Sequence, residues 1–155
     1  AFENQKFEEA IAVLNQVITR EPANEEALTQ RARAFIILKK VPEASADADK
    51  VLAINPKNLF ALNVRGMVKG AKNDFKGAVA DFTQAVTIDP TFFRAFYQRA
   101  RAKMFLKMSP NEVLADFDAF LKLNEDMGVL AETGYYCTEN GGAYQTCAGY
   151  FSRIK

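Results

Sequence analysis

Histidine is absent from all 155 residues. The side chain that most often acts as general base and metal ligand near neutral pH is therefore missing. Catalysis would have to rest on carboxylates, lysine, tyrosine or cysteine. Asp116 and Asp118 lie two positions apart in a helical pattern, so they point to different faces and cannot form a close pair. Glu8-Glu9 and Glu25-Glu26 are adjacent surface carboxylates, and Ser45, Ser109 and Ser152 have no base near them in sequence. No glycine-rich phosphate loop follows a strand, because no period-two strand pattern occurs. These residues exclude a recognisable enzyme and call for no cofactor. Two cysteines are too few for a closed structural zinc site, so no metal is expected. Cys137 and Cys147 flank the turn signal Asn140-Gly141-Gly142, ten positions apart. They can be bridged, which for such a loop stabilises by roughly 3 kcal/mol, or they can be two buried thiols. The hairpin spacing favours the disulfide, and with it the periplasm or the outside of the cell over the cytoplasm.

Charge is balanced overall, with 20 basic and 19 acidic residues. No global field points to nucleic acid or an anionic membrane. No apolar run approaches the ~18 residues of a membrane span. The basic, aromatic stretch Phe92–Lys107 has its phenylalanines at helical core spacing, which favours packing over nucleic-acid stacking. Locally, however, charge is segregated. Residues 27–40, 60–73 and 94–107 contain many Arg and Lys and no Asp or Glu, whereas the segments between them are mainly acidic. Arg31, Arg65 and Arg99 recur every 34 residues, and Asp47, Asp81 and Asp116 follow them by 16 or 17. That recurrence predicts a repeated Arg–Asp bond between packed helices. Lys39, Lys40, Lys72 and Lys107 fall near helix C-termini, where cations suit the macrodipole. Arg33, Arg94, Arg101, Lys69 and Lys103 are left as cations available to a ligand.

The elements that must position these residues come from the same period. Pro22, Pro56 and Pro90 are spaced by 34 residues, each closing a similar phrase such as Ala53-Ile54-Asn55-Pro56. Between them lie paired segments with apolar residues at i, i+3, i+4 and i+7, for example Phe75, Val79, Phe82 and Val86. Neither helix of such a pair can bury its stripe alone, so neighbours must stack. In register from Glu25, the unit reads Leu28, Ala32, Phe35, Ala44, Ala48, Val51 and Pro56. From Leu59 it reads Leu62, Gly66, Lys69, Ala78, Phe82, Ala85 and Pro90. From Phe93 it reads Phe96, Ala100 and Lys103 and, after one inserted residue near Ser109-Pro110-Asn111, Val113, Phe117 and Phe120. This pattern resembles the tetratricopeptide repeat (TPR) family over residues 5 to 125. Lysine twice at the eleventh position, and Phe120 at a usually small one, are departures that bear on local packing.

The resemblance implies an all-α fold, a right-handed superhelical solenoid of antiparallel helix hairpins. Its units would be an incomplete first one, then 25–58, 59–92 and 93–126, making a repeat domain over 1–125. In the first unit Phe7, Ala10, Leu14, Val17 and Pro22 match a second helix, and only Ala1 to Asn4 remain where a first helix should end. Either an upstream helix precedes them or another molecule covers that face. Residues 126–155 would form a C-terminal capping hairpin, Met127 to Cys137 and Ala143 to Ile154.

The resemblance also implies that first helices line a concave groove, through the second, fifth, ninth and twelfth positions of each unit. Those positions hold Glu26, Thr29, Arg33 and Ile36, then Phe60, Asn63, Met67 and Gly70. The last unit supplies Arg94, Tyr97, Arg101 and Met104. From this set, Thr29, Arg33, Asn63, Met67, Arg94, Tyr97, Arg101 and Met104 are the expected peptide-binding residues. Arg, aromatic and Met side chains are the types enriched at protein contact surfaces. The expected function is a non-enzymatic protein–protein interaction scaffold, holding an extended or helical peptide with acidic or C-terminal carboxylate groups. Some family members grip a carboxylate with a Lys/Asn/Asn/Lys/Arg clamp. Here the matching places hold Thr29, Arg33, Val64, Arg94 and Gln98, which does not favour a chaperone tail as ligand. The alternative is a self-assembly module, a homo-oligomer joined through the Phe7, Ile11, Leu14 and Ile18 stripe.

Overall fold

The computed structural model describes residues 2–124, 126–140, 147 and 149. Their helices, in chain order, are α1 (Phe2–Arg20), α2 (Glu25–Ile37), α3 (Val41–Ile54), α4 (Leu59–Ala71), α5 (Phe75–Ile88), α6 (Phe93–Phe105), α7 (Pro110–Leu123) and α8 (Met127–Asn140). No strand occurs among the described residues. Each helix packs on the next, and α2 also touches α4 and α4 touches α6. The outer helices α3, α5 and α7 make no such contact with one another among the described residues. Inner rods that touch while outer rods splay give a stack that curves around α2, α4 and α6. The fold is the expected all-α repeat solenoid.

Local chemistry sets the helix ends. Asn24 and Asn58 accept the backbone N–H of Ala27 and Ala61 at 2.9 and 3.0 Å, capping α2 and α4. Asp74 does the same for Gly77 at 2.9 Å. At α7, Glu112 accepts from both the backbone N–H and the hydroxyl of Ser109. The inner helices all stop in one way. Lys39, Asn73 and Lys107 take φ of 58°, 63° and 52°. The next residues, Lys40, Asp74 and Met108, donate back to the carbonyls of Phe35, Lys69 and Lys103. Three of the repeat's turns are thus the same left-handed cap, built without glycine.

Hydrophobic contacts join the units. Leu28, Leu62 and Val51 are fully buried, and Phe82 packs beside them in one cluster. A second cluster around Phe117, Val113 and Leu130 ties α7 to α8. Phe120, larger than its position usually allows, is buried against the rings of Phe93 and Tyr97 at 5.7 and 5.5 Å. Gly66 is dictated by a neighbour, since a Cβ there would sit 2.5 Å from Cε1 of Phe82 and 2.7 Å from its Cζ. Gly66→Ala is therefore expected to destabilise by about 2 kcal/mol through overpacking, against a helix-propensity gain of about 1 kcal/mol. The sign reverses in a Phe82→Ala background, which recreates the Ala32/Ala48 pairing of the preceding unit. Urea unfolding of the four proteins measures it; Gly66→Ala with the same sign in both backgrounds defeats this account.

Two expectations need correction. α1 is one 19-residue helix from Phe2, so the residues expected to end a first helix instead extend the second. The stripe proposed as open is also partly used. Ile18 is buried, Leu14 and Val17 pack on the main core, and Phe7 and Ile11 are half-buried. Val13, 60% exposed, is a large apolar residue that α1 leaves to solvent. At the other end, Cys137 and Cys147 are joined by a disulfide with Cα atoms 5.6 Å apart. Most of the expected return helix, Ala143 to Ile154, lies outside the described residues, of which 147 and 149 are helical.

Candidate peptide-binding groove

The three Arg–Asp pairs form as bidentate bonds. The Nε and Nη2 of Arg31 donate to Asp47 at 2.7 and 2.6 Å, and those of Arg65 to Asp81 at 3.0 and 2.8 Å. Arg99 binds Asp116 likewise. The hydrogen bond to its aspartate holds each of Arg31 and Arg65 above its ordinary pKa, against the opposing effect of burial. Each arginine also reaches back one unit. Arg31 donates to Asn15 at 2.6 Å, Arg99 to Thr83 at 3.2 Å, and the charge of Asp49 supports Arg65. Asn15, Asp49 and Thr83 are the same repeat position, so Arg31 and Arg99 each bond both their own hairpin and the one before it, while Arg65 feels Asp49 through its charge.

Lys69 and Lys103, expected to remain free for a ligand, are not. Their ammonium groups lie 2.8 Å from Asp81 and Asp116, completing two clusters of one buried carboxylate with two cations. The unusual lysine at the eleventh position is a second donor to the aspartate. In the unit that lacks it, Phe35 lies there instead, its ring centroid 5.8 Å from the Arg31 guanidinium.

What remains lines the concave face. A cavity of about 320 Å³ is walled by Arg33, Ile36 and Ile37 of α2, Asn63, Val64 and Met67 of α4, Arg94, Tyr97 and Gln98 of α6, and Phe120 of α7. Arg33 and Arg94 belong to different units yet act on one another. Burial, and then the nearby Arg94 charge, push Arg33 below its ordinary pKa. Neither has a carboxylate within ion-pair distance among the described residues; Arg33 donates to Gln30 and lies over Phe60, while Arg94 lies over Phe93. Between them, Asn63 donates to the Met67 sulfur at 3.6 Å, and its buried Oδ1 accepts from no donor. An acceptor desolvated without a partner is costly.

Thr29 does not join this surface. It is 4% exposed and its hydroxyl donates to the Glu25 carbonyl at 2.7 Å, so a short side chain is spent on its own helix. Met104 is half-buried on the α7–α8 cluster, at a separate recess with Arg101, Phe105 and Glu132. Ile37, Val64, Gln98 and Phe120 were not among the expected contacts, and Glu132 had no signal at all. It comes from α8, accepts from the Tyr97 hydroxyl at 2.9 Å and lies 3.9 Å from Arg101. Burial, then the bond to Glu132, raise the Tyr97 pKa. Glu132→Ala removes an acceptor and a negative charge that both favour the protonated phenol. Tyr97 should then ionise at lower pH in an ultraviolet titration, while Tyr136, raised by burial alone, stays put; a Tyr97 titration that does not move rules the contact out.

The described residues hold no cluster of metal-ligating side chains, and no helix is long and apolar enough to cross a membrane. The arrangement is that of a helical-repeat protein with a concave, basic and aromatic face. Two tetratricopeptide-repeat family models match residues 1–62 and 61–92, and the chain belongs to that family. Among curated proteins it is 29% identical over 112 residues to RNA polymerase II-associated protein 3 of Xenopus tropicalis, covering 72% of this chain and 17% of that protein. The chain spans about a fifth of the length of the curated relatives it matches. The solved structure of PilF from Pseudomonas aeruginosa has a TM-score of 0.81 at 20% identity, covering 99% of this chain and 69% of that one. The first TPR of Spaghetti (RPAP3), bound to an HSP90 peptide, has a TM-score of 0.70 at 18% identity, over 76% and 96% of the two chains.

Proposed function

We propose that this chain is a non-enzymatic scaffold that captures an acidic peptide segment of a partner protein in the groove between α2, α4 and α6. The observation that carries this is the convergence of Arg33 and Arg94 on one cavity, with no carboxylate of the described residues at ion-pair distance from either. Two guanidiniums held near each other repel, and an anion between them relieves that repulsion while gaining charge-assisted bonds. The RPAP3 relative in complex with an HSP90 peptide supports peptide capture as a class of function. Its ligand is not carried over, because Thr29 is buried and Val64 and Gln98 bring no charge.

Selecting a random peptide library on the purified chain should enrich Asp- and Glu-containing sequences. Arg33→Glu with Arg94→Glu should weaken the selected peptides at least tenfold. Enriched peptides without acidic residues, or indifferent to both reversals, would remove the groove as the binding site. The disulfide supports a further proposal, residence in an oxidising compartment. Two thiols alkylated without reductant in protein taken from its native source would end it. Among the described side chains of α1, exposed Val13 is what favours self-assembly; a monomer at high concentration by light scattering disposes of it.

A further inference from the structure

A second cavity, about 410 Å³, adjoins the first and shares Met67 and Gln98 with it. Its origin is visible in the repeat. The twelfth position of the three complete units holds Ile36, Gly70 and Met104. Ile36 and Met104 are half-buried and pack on the neighbouring cores. Gly70 leaves that volume empty, and a Cβ built on it would meet nothing within 4 Å. A glycine inside a helix sacrifices stability relative to alanine, and here no close approach or positive φ requires it. The space it leaves is mostly apolar, with Asn73, Gln98 and Arg101 as its polar lining. Phe82 lies at its base and the stacked rings of Phe75 and Phe105, centroids 4.5 Å apart, border it. Phe105 is 63% exposed. Arg101 also lines it, so a cation borders this cavity as well.

We propose that the Gly70 cavity receives a large apolar side chain of the groove-bound peptide, next to the acidic group held by Arg33 and Arg94. This rests on the acidic-peptide reading and adds its specificity element. Charge complementarity selects acidic segments in general, while a mostly apolar hollow beside it selects among them by an apolar anchor. The shared Met67 wall makes the two subsites contiguous, so a single short segment can fill both.

The test has two arms, both on the full chain. In the first, N-acetyl-phenylalaninamide is titrated while the Met67 methyl is followed by NMR. The probe carries no charge, so it reports on the hollow independently of the acidic-groove reading. Met67 should shift in the wild type and not in Gly70→Met, which installs the residue that the last unit has at that position. Gly70→Met should melt at or above the wild-type temperature. In the second arm, fluorescein-labelled peptides carry two glutamates and one Phe walked along an otherwise Ser/Ala background, with an all-Ala control. At one spacing the Phe peptide should bind at least tenfold tighter than the control. Gly70→Met should erase that preference and leave the control's affinity within twofold. A preference that survives Gly70→Met, or absence of any preference with binding still lost in Arg33→Glu/Arg94→Glu, overturns the anchor and spares the acidic groove. Binding that ignores both arginines overturns the groove reading, and the first arm then decides the hollow by itself.

Discussion

Asp116→Ala is expected to cost about 3 kcal/mol of stability. Asp116 is buried and neutralises two cations, Arg99 and Lys103, whose side chains are each 14% exposed. Removing the carboxylate leaves two positive charges facing each other where water enters poorly, and desolvated unpaired charge is among the costliest defects in a folded protein. Lys103 then keeps a hydrogen bond to the Glu112 carbonyl at 3.2 Å and the more distant, exposed charge of the Glu112 carboxylate, neither of which replaces a 2.8 Å ion pair. The repeat supplies its own graded series. Asp81 also holds two cations, but Arg65 and Lys69 are each 31% exposed and can be rehydrated. Asp47 holds Arg31 alone, at 20% exposure. The losses should rank Asp116, then Asp81, then Asp47, with Glu8→Ala as a surface control. For a chain of this size the first corresponds to a fall of roughly 6–12 °C in melting temperature. Urea unfolding that places Asp116→Ala within the error of Glu8→Ala would show that the clusters do not hold the stack together.

Removing the disulfide, by Cys137→Ala with Cys147→Ala, should cost about 3 kcal/mol, because the freed ten-residue loop regains entropy in the unfolded chain. In a solenoid this loss falls where the bridge is, since each unit is stabilised chiefly by its neighbours. Both cysteines are buried in the cluster that attaches α8 to α7. Amide exchange should accelerate across α8 while α4 and α5 keep their protection. The loss reaches the groove through Glu132, which α8 carries to Tyr97 and Arg101. Loosening α8 should therefore lower the Tyr97 pKa in the same direction as Glu132→Ala. If α8 amides exchange at the same rate with and without the bridge, the disulfide is not what fastens the terminal helix.

Much of this molecule was legible before any coordinates. The 34-residue spacing of Pro22, Pro56 and Pro90 marked the hairpins, and α2 to α7 begin and end within that register. The Arg–Asp bonds were also legible, because two residue types recurring at one offset in three units leave little else for them to do. Less was legible about availability. Thr29, Lys69 and Lys103 have suitable chemistry, yet bonds made within the fold remove them from the groove. Gly66 and Gly70 look alike as helix glycines. One is pressed by the Phe82 ring and the other borders empty space, a distinction that depends on what the facing helix presents.

The division has a physical cause. Period, helix pairing, caps and the offset of charged partners are local properties, set by residues within one or two turns or one hairpin of each other, and repetition multiplies their signal. Contacts between non-repeated parts carry no such signal. Glu132 lies 35 residues from Tyr97 in a helix with few repeat matches, and only stacking α8 onto the array brings its carboxylate to the end of the groove. The convergence of Arg33 with Arg94, 61 positions apart, and the hollow beside Gly70 likewise arise from the curvature of three packed inner helices. Tertiary structure alone decided which cations stayed open to a partner.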